Sequence, residues 1–430
     1  MKKYDSYKDS GFQWYGSIPS NWNILPMKYL FDIYSGATPD TGKDEYWDGD
    51  INWITPADYK TEDYYVGSGR KKITEKGYQS CGTSLLPIGS IVFSKRAPIG
   101  TVALTSTELC TNQGCLGCVP KNVNAKYYYY SMSVLRDQFE LFGSGSTFKE
   151  ISATDFSNFK MLVPPLKEQN EIVSFLERKC SIINELINYR NYQIQELEKF
   201  KQLTISEVVT HGLTFSTEMK DVNSLWIKKI PSNWDLTKMK YLFVLKTGTT
   251  PKAFEDQKDN DILINWYTPS DVKENGNVLG PSERKLAKRI IEDAKIQLNP
   301  EESIYFVGIG ATAGKVGFAS QEGYSNQQLT ALVPKVGNSK YFFYYLCSSK
   351  KKVRDNALFT TLPIINNAYL SQVMLPNPPI DEQNAIVNYL DQKCENISKL
   401  LELLDKEIKE LEKYKTAIIC EAVTGKVKVF

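Results

Sequence analysis

Carboxylates, thiols and one histidine are the groups of this chain that could make or break bonds, and their spacing offers a few constellations. Asp271 with Glu283-Arg-Lys285 has the bare spacing of a metal-dependent nuclease, two carboxylates for a cation and a lysine beside them. The same residues read equally as an exposed charged loop. Cys110, Cys115 and Cys118 cluster as zinc ligands would, but a zinc site wants four, and no further cysteine pair or histidine lies near. No Ser-His-Asp arrangement can be built around His211, the only histidine. Basic clusters could meet phosphate oxygens: Arg70-Lys-Lys72, Lys95-Arg96, Arg284-Lys285 with Lys288-Arg289, and Lys350-Lys-Lys-x-Arg354. Any one of them alone reads as solvated surface.

The elements that must hold these groups are written twice. Trp14 to Trp22 returns as Trp226 to Trp234, ending in Ile-Pro-Ser-Asn-Trp both times, and Met27-Lys-Tyr-Leu-Phe31 returns unchanged as Met239 to Phe243. Gly36-Ala-Thr-Pro39 matches Gly248-Thr-Thr-Pro251, a turn-prone segment. Ile51-Asn-Trp-Ile-Thr-Pro-Ala-Asp58 matches Ile264 to Asp271, and Asn112-Gln113 matches Asn326-Gln327. An internal repeat this long decides the fold before any single motif does. It also tests the chemistry. Glu283 aligns with Arg70, and the three cysteines align with Tyr324, Leu329 and Leu332, which makes them small core residues. Between the anchors the repeats diverge: Asp40 to Asp50 finds no counterpart in Lys252 to Asp261, and Gly143-Ser-Gly-Ser-Thr147 stands where the second copy has Asn356-Ala-Leu-Phe-Thr360.

Each globular stretch of about 160 residues mixes short apolar runs, such as Ser90 to Ser94 and Ser303 to Val307, with Gly-rich turns and a few helical stretches. Each leads through a Pro-Pro pair into forty-two residues free of Pro and Gly, Glu168 to Val209 and Glu382 to Val423. Such a stretch predicts a rod of roughly 63 Å, far beyond the ~8–20 residues of an ordinary helix. In the second rod Leu390, Ile397, Leu404, Leu411 and Ile418 recur every seven residues, with Ile386, Leu400, Leu401, Ile408 and Tyr414 beside them. That is a coiled-coil seam. The first rod keeps Leu176, Ile183 and Leu197 in that row but carries Arg190 and Thr204 in the other two places. The expected class is α+β: two repeated mixed α/β domains, residues 1–166 and 213–380, separated by a pair of long helices, 167–212 and 381–430.

Composition bounds the rest. At 42% hydrophobic and 24% charged the chain is ordinary globular material, and its net charge is only +2. Residues 223–380 carry a net of +6 while 167–222 and 381–430 are each at −2, so a polyanion should meet the globular parts. Irregularly spaced cysteines, no apolar run of ~18 residues and no signal-peptide core lead to the expectation of a cytoplasmic protein without a membrane partner.

Two resemblances follow from these motifs. Phe306-Val-Gly-Ile-Gly310 with Asn377-Pro-Pro-Ile380 resembles the paired motifs of amino-group DNA methyltransferases, although Ile380 replaces the aromatic that would stack on a flipped base. In the repeat these segments align with Phe93 to Ala97 and with Val163-Pro-Pro-Leu166, a plain helix lead-in. The second resemblance covers essentially all 430 residues. Pro-x-x-Trp, Gly-x-Thr-Pro, Trp-x-Thr-Pro-x-Asp and Pro-Pro-x-x-Glu-Gln opening a long helix, all in order and all twice, resemble the specificity subunit of type I restriction–modification enzymes.

That resemblance implies two target-recognition domains, each reading half of a split, asymmetric site on double-stranded DNA, with the helices as an antiparallel coiled coil between them. It implies a non-catalytic chain without metal or cofactor, on which two methyltransferase (modification) subunits and restriction motor-nuclease subunits assemble. S-adenosylmethionine, ATP and magnesium would belong to those partners. The DNA-contact candidates are then Lys71, Lys72, Lys95, Arg96, Ser144, Thr147, Arg284, Lys285 and Lys288. Leu176, Ile183, Leu197, Leu390, Ile397, Leu404, Leu411 and Ile418 are the helix-packing set. The alternatives are a self-contained N6-adenine DNA methyltransferase and an interaction scaffold that binds no DNA.

Overall fold

The computed structural model describes residues 2–61, 63–143, 149–214, 218–224, 226–251, 262–294, 296–355, 358–359 and 363–430. Ser144 and Thr147, and the divergent segment Lys252 to Asp261, lie outside the described residues. The chain forms two compact units, Met1–Arg190 with Lys406–Phe430, and Asn191–Asp405. Each unit therefore holds one globular segment and a stretch of both long helices.

The two globular segments build one scaffold. In the first unit a five-stranded sheet runs in the order Phe31–Ser35, Cys115–Pro120, Ile91–Ser94, Val102–Thr105, Tyr65–Val66. Neighbours are antiparallel except the last pair, which is parallel. The second unit repeats the order and the senses with Phe243–Thr247, Leu329–Pro334, Ile304–Val307, Val316–Ala319 and Asn277–Leu279. The central apolar runs, Ile91–Ser94 and Ile304–Val307, are buried at every residue, as an unbroken apolar run demands. Cys115 and Cys118 lie on a strand beside them in the core, where burial raises both thiols, Cys115 to about 12. They are packing residues, as the repeat alignment expects.

The long helices span Leu166–His211 and Ile380–Val423, 46 and 44 residues. The first stops where Gly212 takes φ +79, the left-handed cap conformation that glycine enters without strain. Within each unit the two helix stretches run antiparallel. In the first, Lys415 donates to Asn184 at 2.8 Å and Arg190 meets Glu407 at 2.8 Å. In the second, the equivalent Lys201 donates to Ser398 at 3.4 Å. Arg190 thus breaks the apolar row of the sequence but finds a carboxylate on the facing helix.

Of the expected packing residues, Leu176, Ile183, Leu390, Ile397 and Ile418 are buried, while Leu197, Leu404 and Leu411 are half-buried. Leu400 and Tyr414, flanking the row, remain 48% and 53% exposed, because one facing helix covers only a narrow stripe.

The doubled motifs form the joint between helix and globular segment. Gln169 is 2% exposed; its amide donates to Pro164 O at 2.9 Å and accepts from Asn124 N at 2.9 Å. Gln383 does the same with Pro378 O at 2.8 Å and Asn338 N at 2.7 Å. Beside them Asn124 bonds Asn170, and Asn338 bonds Asn384, each at 2.8 Å. The far helix is tied by a tyrosine. Tyr127 donates to Val423 O at 2.9 Å and Tyr341 to Val209 O at 3.0 Å, capping carbonyls that a helix end leaves without a partner.

Candidate nucleic-acid interface

Each unit carries a second, smaller sheet of three strands. In the first, Trp47–Ile54 is flanked antiparallel by Lys71–Ile73 and parallel by Cys110–Thr111. In the second, Leu263–Tyr267 is flanked antiparallel by Lys285–Ala287 and parallel by Tyr324–Ser325. One edge therefore bears the lysines and the other leads into Asn112-Gln113 or Asn326-Gln327.

One end of each edge strand is exposed and the other buried. Ile73 is fully buried while Lys71 and Lys72 are exposed; Leu286 is fully buried while Arg284 and Lys285 are exposed. Edge lysines also keep a sheet from pairing with a neighbouring chain, so charge alone does not define a site. Their surroundings add more. Lys71 Nζ sits 4.9 Å over the Trp47 ring, Trp47 meets Trp53 edge-on at 5.1 Å, and Trp53 Nε1 donates to Ala37 O at 3.0 Å. An apolar path thus links the basic edge to the Gly-x-Thr-Pro turn. Trp266 Nε1 makes the matching bond to Thr249 O at 3.3 Å.

The remaining described candidates are ion-paired, and of them Lys288 directly follows the basic-edge strand, its N–H on Ile262 O at 2.8 Å. Lys95 and Arg96 both meet Glu150 at 2.8 Å, and these two cations hold its carboxyl below the usual range. Lys288 opens the short helix Lys288–Asp293 and lies 3.8 Å from Glu292. Lys350 pairs with Glu274, which Lys315 also reaches at 3.0 Å. The partners of Glu150 and Glu274 could not be read from local pattern, because they come from distant segments.

The residues proposed for chemistry have structural partners. Asp271 accepts from Thr268 N at 2.7 Å and from Glu283 N at 2.8 Å, capping its turn as Asp58 caps the matching one with Thr55 N at 2.8 Å. Asn377 accepts from Gln383 at 3.0 Å and donates to Thr237 at 3.3 Å. Gly308 sits on its strand's continuation, its N–H on Gln328 O at 2.9 Å. Among the described residues no group of three or more His, Cys, Asp or Glu side chains is placed to hold a metal, and no helix is long and apolar enough to cross a membrane.

Each unit also opens a cleft where its globular segment meets both helix stretches. The cleft of the first unit, about 660 Å³, includes Glu177, Cys180, Glu412 and Lys415. That of the second, about 760 Å³, includes the aligned Asp391, Cys394, Glu198 and Lys201.

The family described as "Type I restriction modification DNA specificity domain" matches residues 19–196 and 231–413. The chain is similar to the type I restriction enzyme MjaIX specificity subunit of Methanocaldococcus jannaschii, 27% identical over 96% of this chain and 95% of that one. It is also similar to the EcoR124I/EcoR124II specificity subunit of Escherichia coli, 29% identical over 43% of this chain and 46% of that one. In fold it resembles a chain from a structure on complex assembly and conformational transition of the type I R-M system (TM-score 0.73, 16% identity, 95% of this chain and 99% of that chain). It also resembles the HsdS subunit from Thermoanaerobacter tengcongensis (TM-score 0.53, 16% identity, 97% and 100%).

Proposed function

The chain belongs to the type I restriction–modification DNA specificity family, and from that premise we propose that it is a non-catalytic subunit reading a split, asymmetric site on duplex DNA. The observation that carries this is the small sheet: Ile51-Asn52 and Ile264-Asn265 pair with their basic edges in the same register, while Arg70 beside one edge gives way to Glu283 beside the other. A shared scaffold with altered loops suits two half-sites of different sequence, since bases are read by side chains in the grooves and not by the scaffold. Lys71, Lys72, Arg284 and Lys285 are the phosphate contacts on this reading.

Two aligned clefts at the helices, with similar residues in each, support two copies of one partner, the modification subunit, with restriction motor-nuclease subunits joining the assembly. S-adenosylmethionine, ATP and magnesium then act in the partners. A self-contained N6-adenine DNA methyltransferase would need Asn377 free to grip an amine, whereas Gln383 and Thr237 hold it.

The test is methyl transfer to duplex DNA by the purified chain, with and without its modification subunits, followed by sequencing of the methylated motif. Alone it should transfer nothing; in the complex the motif should be bipartite and asymmetric. Transfer by the chain alone, or a palindromic motif, would overturn the reading.

A further inference from the structure

One exposed feature of the small sheets escaped the divergence around it. In each unit the Gly-x-Thr-Pro turn lies against the Asn-Gln loop. Ala37 N donates to Thr111 O at 2.9 Å and Thr249 N to Ser325 O at 2.8 Å. The approach requires glycine: a Cβ on Gly36 would be driven into the Thr111 and Asn112 carbonyls, and one on Gly248 into those of Ser325 and Asn326. The Asn-Gln loop is held in turn by the central strand, Asn112 N on Ile54 O at 2.9 Å and Asn326 N on Tyr267 O at 3.0 Å. Backbone bonds therefore already close this cluster.

Across its surface Thr38 donates to the side-chain carbonyl of Gln113, and Thr250 donates to that of Gln327. Gln113 and Gln327 are exposed. The threonine hydroxyl, able to donate or accept, donates to the amide oxygen in both units. It ties up the oxygen and leaves the NH2 group, a pure donor, without a partner among the described residues. A donor suits an acceptor-only surface, and phosphodiester oxygens are that. Residues identical in both units cannot carry the difference between two half-sites. They can carry what the half-sites share, the backbone, to which glutamine and threonine commonly donate.

We propose that Gln113 and Gln327 are uncharged contacts to the DNA phosphate backbone, one per half-site, that seat each unit on the duplex, with Thr38 and Thr250 as their positioning residues. This rests on the DNA-recognition reading above. The contact differs physically from the lysine contacts: a neutral donor displaces no condensed counterion, so it contributes affinity without salt dependence.

The experiment measures duplex binding by the complex reconstituted with its modification subunits, from 50 to 200 mM salt, on the methylated motif and on unrelated sequence. Gln113→Ala and Gln327→Ala should each weaken both by a common factor of about 3–10, near one hydrogen bond's worth. The salt slope and the methylation motif should stay unchanged. Thr38→Ala should weaken binding less, and Thr38→Ser should recover wild-type binding. A scan of single methylphosphonates should find one phosphate in each half-site whose neutralisation removes the difference between wild type and variant. Unaltered binding would overturn the proposal, as would a slope that falls as for a lysine or a motif that becomes degenerate at one base. A circular-dichroism melt of each variant separates weakened DNA binding from a failure to fold. Should the wild-type complex itself show no sequence preference, the recognition reading falls and takes this inference with it.

Discussion

The joints and the small sheets of the two units make opposite uses of the same duplication. At the joints the side chains match residue for residue: Gln169 and Gln383 each bridge a proline carbonyl and an asparagine N–H. At the small sheets the backbone register is kept while exposed residues beside it change: Arg70 of the first unit stands where the second has Glu283. Buried polar groups cannot vary singly, because a changed partner leaves an orphan in a medium without water. Exposed groups can. The duplication therefore separates what holds each unit together from what each unit presents.

The largest expected effect lies at the joints. Gln169→Leu and Gln383→Leu should each destabilise by about 2–6 kcal/mol, since each strands a buried carbonyl and a part-buried N–H at about 1–3 kcal/mol apiece. Gln383 also serves Asn377, so its replacement should cost more. Urea denaturation checks this. A change within about 0.5 kcal/mol for one and a large loss for the other would break the equivalence of the joints.

A finer asymmetry should appear at the neighbouring tryptophans. Trp22 Nε1 donates to Glu168 at 2.9 Å, whereas the buried Trp234 Nε1 has no partner among the described residues. Both rings are fully buried, so the volume removed on replacement by Phe is common to the pair. Trp22→Phe should therefore cost about 1 kcal/mol more than Trp234→Phe, the worth of one hydrogen bond. Equal losses would mean that the Glu168 bond contributes nothing net.

On the small sheets the comparison predicts sameness. Neutralising Lys71 or Lys72 in one unit, or Lys285 in the other, should weaken binding to every sequence and lower the salt slope by about 1 for each phosphate no longer neutralised. Binding titrations of the complex at several salt concentrations measure it. A motif changed in one half-site with the slope intact would instead assign that residue to base reading.

Much of this was legible in the sequence because the repeat supplies its own control. The helix pair, the mixed sheets and the core role of Cys115 and Cys118 follow from periodicity and from what the second copy puts in the same place. Pro-Pro-x-x-Glu-Gln marked the helix start, but not that the glutamine reaches back to its own proline and across to Asn124. The Thr38–Gln113 pair spans 75 residues and the Thr250–Gln327 pair 77, a separation invisible to local pattern yet hinted at by its recurrence. Lys95 and Arg96 looked like free surface charge; their partner Glu150 comes from another loop, and no local rule brings it in. Side chains meeting across distant loops are set by tertiary packing, which the sequence expresses only as a whole.

The smallest effect tests a device that the two units build from unrelated residues. Glu150 draws in Lys95 and Arg96, and Glu274 draws in Lys350 and Lys315. Its two lysines hold the Glu274 carboxyl down at about 2, and the two cations beside Glu150 lower its carboxyl in the same direction. A carboxyl depressed on folding stabilises at pH above its unfolded value of about 4.5 and loses that contribution as pH falls towards the folded value. For Glu274 the window is therefore about pH 4.5 down to about 2. Its side chain is 65% exposed, so solvent screening keeps the contribution under about 1 kcal/mol. Glu274→Gln should lower stability slightly at pH 7, and the difference from wild type should vanish at the acid end of that window. Glu150→Gln should behave alike in stability but free two cations in the unit of the first small sheet, and so raise non-specific DNA affinity and its salt slope. If both variants changed only stability, Lys95 and Arg96 would be structural, and DNA contact in the first unit would rest on Lys71 and Lys72.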